Sequence, residues 1–498
     1  MRLFIQFAPS FLNLPIYAAE KLEQNGFQYT GGIYYGIQRF YDQLHSFSIC
    51  RDKPLLNVDK EELEWASTPL DHQELERIRR QYGDDKLHKL VLGDRHIGHG
   101  NTSGACIVPT PLTKAISKGG SASISQYVVS LVKAVEELLD ECAPDLVFQH
   151  AIAGAVALAL NMVAEHRGIR TLSMFHSRLG SRYFLANLNE LSNTIAQKVE
   201  LNEQVSDGSL TFAKKFLANS RKLQNKPEYS IRSRAKSQKK NSWKSIIRAT
   251  AKTANGLVSR KNDTPHSSRF HNGLDEMRRP FSFRNQRRIL KSLMTPVDLN
   301  NGEAFAFFPL QVEPEASTLV YAPDHLDQIH TALELSHSLP FGMRAYIKEH
   351  VPMVGLRPPG FYKRLAKLPN VILLDPWIDS QELISKSTIL LTATGTAAFE
   401  SAMLGIPSVM LGNNFYANMK QGITLRKDHA SLRDTIATAL NKEPASDEYL
   451  CRFIATLYES SFPCDSSVIW TRLAHSDCQE TRESGQELAD QLIARKNS

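Results

Sequence analysis

Hydrophobic positions in this chain fall into short runs separated by amphipathic stretches. Arg2–Ala8 is an apolar run of strand length, and Pro15–Asn25 after it has helical composition. Lys89–Leu92 is strand-like and ends at Gly93-Asp94-Arg95-His96. Between Ser123 and Cys142 the residues Val128, Leu131, Val132, Val135, Leu138 and Leu139 recur at helical spacing. Asp145–Gln149 then reads as a strand, Ala153–His166 as a helix and Arg170–Phe175 as a strand. The alternation stops near 205 and resumes at Phe305. There Phe305–Phe308, Thr318–Tyr321, Arg344–Lys348, Val371–Leu374, Thr388–Thr392 and Ser408–Leu411 read as strands. Leu326–Ser338, Phe361–Lys367, Ser380–Ser387 and Thr396–Leu404 read as helices between them. Beyond Asp428 the pattern is helical and ends in a polar tail. Strands alternating with helices through short connections predict an α/β fold with parallel sheets.

Length and charge divide this pattern. A chain of 498 residues exceeds one ordinary core. The expected divisions are an α/β domain over 1–204, a basic insertion or linker over 205–290, a second α/β domain over 291–425 and a helical tail over 426–498. Net charge is +7, but residues 214–261 hold fifteen Lys or Arg against one acidic residue, Glu228. That stretch alone carries +14, which leaves −7 for the remainder. No run approaches the ~20 apolar residues that span a bilayer. The start, MRLFIQFAPSF, does not read as a signal peptide, because Pro9 interrupts its apolar run. The six cysteines are scattered with no CxxC pair, so the expectation is reduced, mostly buried thiols in a cytoplasmic protein.

Candidate chemistry gathers in the second half, at strand ends and helix starts, where open α/β sheets bind ligands. Phe308-Pro309-Leu310-Gln311-Val312-Glu313-Pro314-Glu315 follows a strand. It is either a proline-stiffened surface loop or a fixed loop whose Gln311 and Glu313 orient sugar hydroxyls. Lys348-Glu349-His350 ends the next strand, with Arg357 seven residues on. These residues either contact phosphate or form a solvated strand end. Thr392-Ala393-Thr394-Gly395-Thr396 joins a strand to a helix. Its small residues and the free N–H groups of the helix start suit phosphate, and Thr394 and Thr396 can cap the helix or donate hydroxyls. Glu400 lies one turn further on the same helix face and is placed to accept ribose hydroxyls, unless it is an ordinary helix glutamate.

Read together, FFPLQVEPEAS, IKEH, GFYKRLAKLPNVILLDPWIDSQELISKS and TATGTAAFESAMLGIPSVMLGNNFY resemble the capsule-polysaccharide biosynthesis family over about 304–416. DLVFQH and GIRTLSMFHSRLGSRYFL extend a looser likeness to the first half. That family is similar to GT-B glycosyltransferases and includes Kdo transferases of capsule assembly. Its pattern has His-Pro directly after Lys-Glu, whereas this chain reads Lys348-Glu349-His350-Val351-Pro352. The resemblance implies two Rossmann-like domains whose parallel sheets face a cleft. The C-terminal domain would hold a nucleotide-sugar donor, CMP-Kdo among the options, through Lys348, Glu349, Arg357, Thr394, Gly395, Thr396 and Glu400. The N-terminal domain would hold a glycan or glycolipid acceptor. Catalysis would fall to His350 and to a base, with Asp94 as first candidate and His96 and His150 behind it. Arg178 and Arg182 would line the cleft beside Gln311 and Glu313. No metal and no other cofactor is expected. The basic segment 214–261, with Trp243, Ile246 and Ile247, is expected to meet the anionic inner face of the membrane, where lipid-linked acceptors lie. The alternatives are that it binds the anionic glycan itself or is a disordered linker whose charge only keeps it soluble. Nucleic acid is not expected, since aromatic residues are sparse there. A polyol-phosphate transferase of similar fold and a non-catalytic polysaccharide-assembly protein remain the alternatives.

Overall fold

A computed structural model describes residues 1–36, 38–98, 106–150, 152–223, 264–427, 430–470 and 477–496, with short stretches at 102–103 and between 247 and 254. In chain order the strands are β1 (Arg2–Phe7), β2 (Gln28–Tyr34), β3 (Leu55–Asn57), β4 (Thr102–Ser103), β5 (Cys106–Ile107), β6 (Leu146–Gln149), β7 (Arg170–His176) and β8 (Arg182–Ala186). They continue as β9 (Phe305–Pro309), β10 (Arg344–Lys348), β11 (Val371–Leu374), β12 (Ile389–Thr392), β13 (Ser408–Met410), β14 (Ile423–Leu425) and β15 (Ser461–Pro463).

The apolar runs are continuous because helices cover both faces of each sheet. β6 and β12 are buried at every residue, as parallel strands in α/β domains must be. The first sheet runs β15-β8-β7-β6-β1-β2-β3, parallel from β7 to β3, with β8 and β15 added antiparallel at one edge. The second runs β11-β10-β9-β12-β13-β14 and is parallel throughout. Counted within its own domain, the second order is 3-2-1-4-5-6, that of a Rossmann domain, and the first shares its central pattern. The fold is therefore the expected one of two Rossmann-like α/β domains.

Three features depart from the reading of the sequence. Lys89–Leu92 is not a strand but the end of a helix, Asp84–Leu92. Leu87 and Leu90 sit three apart and face inward while Leu92 is exposed, which is helical spacing that a four-residue window cannot reveal. Thr318–Tyr321 is likewise no strand; Ala316–Leu319 forms one helical turn there. The region 205–290 contains two helices that pack on the domains. Asp207–Arg221 buries Ala213 and Leu217 in a core shared with Phe184, Phe305 and Leu390. Arg269–Leu293 runs for 25 residues, carries Pro280 inside it and buries Leu290 against Ala306. Its N-terminal approach, Thr264–Ser267, lies on the first domain, where Pro265 O accepts from Leu112 N. After Asp428 the chain returns to the first domain: β15 pairs with β8, and the helix Gln479–Ala494 packs on the helix Asn13–Glu23. Among the described residues no helix is long and apolar enough to cross a membrane.

Candidate active site

In the second sheet the strand order reverses between β9 and β12, so the loops after these strands diverge and leave a crevice. One hydroxyl ties the two loops together. Thr392 Oγ1 accepts from Gln311 Nε2 at 3.1 Å and from Gly395 N at 3.1 Å. A Cβ on Gly395 would lie 2.7 Å from that hydroxyl and 3.2 Å from Gln311 Nε2, so residue 395 must be glycine for the loops to meet. Thr394 does not cap the following helix, Ala397–Met403; its hydroxyl donates to Ser317 O at 3.0 Å. Its carbonyl accepts from Asn414 Nδ2 and from the buried Tyr416 hydroxyl. That explains the Asn-Asn-Phe-Tyr segment, which fixes the loop from below. Thr396 does not cap through its side chain either. It donates to Glu400 Oε1 at 3.2 Å, and Ala398 N in the first helical turn donates to Gly395 O.

Glu400 is largely enclosed. Burial raises its carboxyl to about 7, and hydrogen bonds from Gln381 and Thr396 and the charge of Arg178 oppose that rise only in part. The enclosure follows from the small residues around it, since Ala397, Ala398, Ser401 and Ala402 let the helix lie close to the sheet.

Four of the expected ligand contacts are instead internal structure. Arg357 is wholly buried. Its Nε and one terminal nitrogen donate to Glu349 at 2.8 and 3.0 Å, and the other terminal nitrogen donates to Glu313 Oε2 at 2.7 Å. It also donates to Gln311 O at 2.7 Å and stacks on Phe361. Tyr362 donates to Glu349 Oε2, and Gln328 donates to Glu313. A guanidinium with both faces of its fork occupied has nothing left for phosphate. Arg357, Glu349 and Glu313 therefore do not bind donor or line the cleft; they pin the β9 and β10 loops together beneath it. Gln311 serves the same end through its backbone and amide. Lys348 is buried and donates to Pro376 O at 3.3 Å. His350 is held down at about 4, chiefly by burial, so its ring is neutral at physiological pH and offers phosphate no charge.

The carboxyl end of β7 supplies what those residues do not. Arg178 is exposed, and no hydrogen bond or ion pair ties its guanidinium among the described residues. Its backbone is left-handed, with φ 66°, a conformation that costs a non-glycine residue of order 1 kcal/mol or more and gathers at functional sites. The charge of Arg178 acts on Glu315, Tyr321, Glu400 and Tyr416, all from loops or helices at the carboxyl ends of the second sheet. The two sheets thus present their carboxyl ends to a common cleft. Arg95 also acts on Glu315, which is exposed; partial desolvation raises its carboxyl against the pull of both arginines. His176 Nδ1 accepts from Arg178 N at 2.9 Å, which leaves Nε2 as a donor on a ring that burial keeps neutral. Arg182, by contrast, is committed elsewhere. It donates to Ser461 Oγ at 2.9 Å and lies over the Tyr458 ring, stapling β15 to β8. Tyr183 is buried in the first core.

Asp94 is not placed as a general base. It follows a helix rather than a strand, and its oxygens accept from His96 N, Ile97 N and Ala155 N at 2.6, 3.2 and 2.9 Å. Burial would raise its carboxyl, but the charge of His96 and these backbone donors outweigh that and hold it below the usual range. It caps the helix Gly154–His166. Beside it lies a cluster that the sequence reading missed. His266 Nε2 sits 2.6 Å from Glu62 Oε2 and 3.7 Å from Asp59 Oδ1, and the His266 ring lies 4.3 Å from that of His96. Asp59 and Glu62 are three apart on the helix Val58–Ser67, a spacing legible in sequence; His266 comes from 200 residues away and is not. His150 is buried and stacked on Phe11 at 4.7 Å.

The basic segment lies mostly at 224–246 and 255–263, outside the described residues, as do Trp243 and Ile246. Its first part, Lys214–Arg221, belongs to the packed helix, and Arg221 pairs with Asp447 at 2.5 Å.

No protein-family model matches the chain, and no curated protein matches it in sequence. Among solved structures it is similar to a β-Kdo 2,7 transferase, KpsC of Thermosulfurimonas dismutans, at 12% identity and TM-score 0.36, covering 73% of this chain and 89% of that one. It is also similar to UDP-GlcNAc 2-epimerase of Methanocaldococcus jannaschii in complex with UDP-GlcNAc and UDP, at 11% identity and TM-score 0.26, covering 92% and 100%. A UDP-glucose:anthocyanidin 3-O-glucosyltransferase in complex with UDP is similar at 11% and 0.22, covering 99% and 100%. Such values carry no argument about chemistry, and the fold stands on the sheet order itself: two Rossmann-like domains whose strand ends share one cleft.

Proposed function

We propose that the chain is a glycosyltransferase. It takes a sugar from a nucleotide-sugar donor, CMP-Kdo being the one the resemblance names, and passes it to a lipid-linked or growing polysaccharide. The observation that carries this reading is the switch point between β9 and β12, where small residues stand at a strand end and Arg178, tied by no hydrogen bond or ion pair among the described residues, acts on Glu315 and Glu400. The donor phosphate lies at Gly395–Thr396 and the first turn of the following helix, met from across the cleft by Arg178. Glu400, once ionised, accepts ribose hydroxyls. His350 and Lys348 close the wall behind the nucleotide as neutral and backbone-held groups.

The acceptor hydroxyl attacks the anomeric carbon as the bond from that carbon to the phosphate oxygen breaks. The proton goes to Glu315, a cleft carboxylate with no side-chain hydrogen bond among the described residues and with raised basicity. The charge that develops on the departing phosphate is met by Arg178 and the helix start, so no step calls for a metal. The enzyme works at the inner face of the membrane, where the positive charge of 214–261 attracts anionic lipid.

Thermal-shift titration with CMP, UDP and GDP tests the site, because a ligand of the native state raises Tm. One nucleotide should stabilise the protein, and Arg178→Ala and Thr396→Val should each weaken that effect about tenfold while leaving the ligand-free Tm unchanged. Turnover of a nucleotide-activated alcohol but of no nucleotide-sugar favours the polyol-phosphate reading. Failure of every nucleotide to bind a folded protein would leave an assembly role.

A further inference from the structure

The Asp59, Glu62 and His266 cluster has no part in the donor site, and its geometry points to a divalent metal. We propose that Asp59, Glu62 and His266 bind one transition-metal ion of the zinc class, which clips the segment ahead of the long Arg269–Leu293 helix onto the first domain. The inference stands independently of the glycosyltransferase reading.

Three atoms of metal-ligand type converge. Asp59 Oδ1, Glu62 Oε2 and His266 Nε2 lie within 4.8 Å of one another. Zinc holds such ligands at about 2.0–2.2 Å, which places ligand atoms roughly 3.4 Å apart, and the observed 2.6 and 3.7 Å bracket that spacing. The short contact is a close charge pair, and Glu62, 1% exposed, is held in it with its Oε2 facing His266 Nε2.

Independent observations point to an occupant. His96 Nδ1 and His266 Nδ1 are both buried without a hydrogen-bond partner among the described residues, and the two rings are 4.3 Å apart. Orphaned polar atoms side by side are rare in native interiors and mark an ion or its water. The charge agrees. Asp59, Glu62 and Asp94 bring three carboxylates together, and among the described residues no Lys or Arg pairs with any of them. Two carboxylates converging on one imidazole nitrogen favour positive charge at that point, which either a protonated His266 or a metal ion supplies. The supporting shell is present as well: Tyr127 donates to Glu62 Oε1 at 2.6 Å, and Gly36 N donates to Asp59 at 2.8 Å, as outer groups around a metal site do. One imidazole with two carboxylates suits zinc or manganese rather than magnesium or calcium, and three protein ligands leave a coordination position open.

The test uses the full chain, stripped with a chelator and titrated with Zn²⁺, Mn²⁺, Co²⁺ and Mg²⁺. Calorimetry should show one equivalent of Zn²⁺ and a Tm that rises with Zn²⁺, while Mg²⁺ at the same concentration does neither. Bound Co²⁺ should absorb without a thiolate charge-transfer band, which separates this site from the cysteines. Glu62→Gln and His266→Ala should each weaken Zn²⁺ at least a hundredfold. His266 lies in the turn Thr264–Ser267, outside any helix or strand, so His266→Ala keeps its circular dichroism and isolates the ligand effect. Absence of Zn²⁺ binding by the folded wild type, a thiolate band on Co²⁺, or undiminished affinity in folded His266→Ala would each overturn the proposal.

Discussion

Replacing Glu400 by glutamine should stabilise the protein in a strongly pH-dependent way. The carboxyl moves from its ordinary 4.5 to about 7 because the packed helix and sheet strip water from it. At about 1.36 kcal/mol per pH unit, ionising it inside the fold costs about 3 kcal/mol. An acid with a raised folded pKa leaves stability intact below its unfolded value and removes it as pH climbs to the folded value. The loss therefore accrues between about 4.5 and 7 and is complete above that. Glutamine carries no such cost at any pH. Relative to wild type, Glu400→Gln should gain about 3 kcal/mol at pH 8 and only about 1 kcal/mol at pH 5. Constant terms, such as the hydrogen bonds with Thr396 and Gln381, cancel when the two pH values are compared. Urea unfolding of both proteins at pH 5, 6, 7 and 8 measures the difference, about 2 kcal/mol across the range. A mutant-minus-wild-type difference that stays flat with pH would refute the enclosure of Glu400. In nucleotide binding the same substitution should cost affinity for ribonucleotides more than for free phosphate.

Arg357→Ala leaves Glu349 and Glu313 buried without their cation, and should cost about 3–5 kcal/mol of stability. Thermal unfolding checks this, and a folded variant with lower phosphate affinity at unchanged Tm would restore the donor role. Asp94→Asn turns a donor toward Ala155 N and should cost about 1–3 kcal/mol with little change in kcat; a sharp fall in kcat at unchanged Tm would return Asp94 to the role of base. Glu315→Gln should lower kcat steeply while nucleotide affinity holds, as steady-state kinetics beside a binding titration will show. Deletion of 224–246 should weaken binding to anionic vesicles while activity on a short soluble acceptor survives. The cut runs from 224 to 246, because Lys214–Arg221 belongs to a packed helix and Ala249 and Thr253 are buried.

Local patterning made the fold legible. Short apolar strands, small-residue turns and amphipathic helices fix the α/β class, since a parallel sheet needs continuous burial and a helix needs one buried stripe. The loops after β9, β10 and β12 were legible as a candidate site for the same reason: polar and small residues stand where strands end. Side-chain commitment was not legible. Nothing in Lys-Glu-His or in the distant Arg357 says that the guanidinium will fold back onto Glu349 and Glu313 rather than face a ligand, because that depends on which loops become neighbours. Arg178 and Arg182 look equivalent in sequence. A four-residue step and one antiparallel strand from the far end of the chain separate a free cleft cation from a structural staple. The Asp59-x-x-Glu62 spacing was visible, but its third member, His266, arrives only through tertiary structure.

The long helix Arg269–Leu293 has a mechanical consequence. Its approach is fastened to the first domain at Pro265 and its last turns are buried in the second. At 1.5 Å per residue it is a rod of about 37 Å laid between the two bodies. The chain also crosses between the domains after β8 and again before β15, so they are joined by several covalent links rather than one swivel. Bodies linked in this way cannot drift apart or twist freely; they can only rock about the line of their attachments. The rod is weakest at Pro280, where the ring removes one backbone donor, so any bending imposed on it concentrates there.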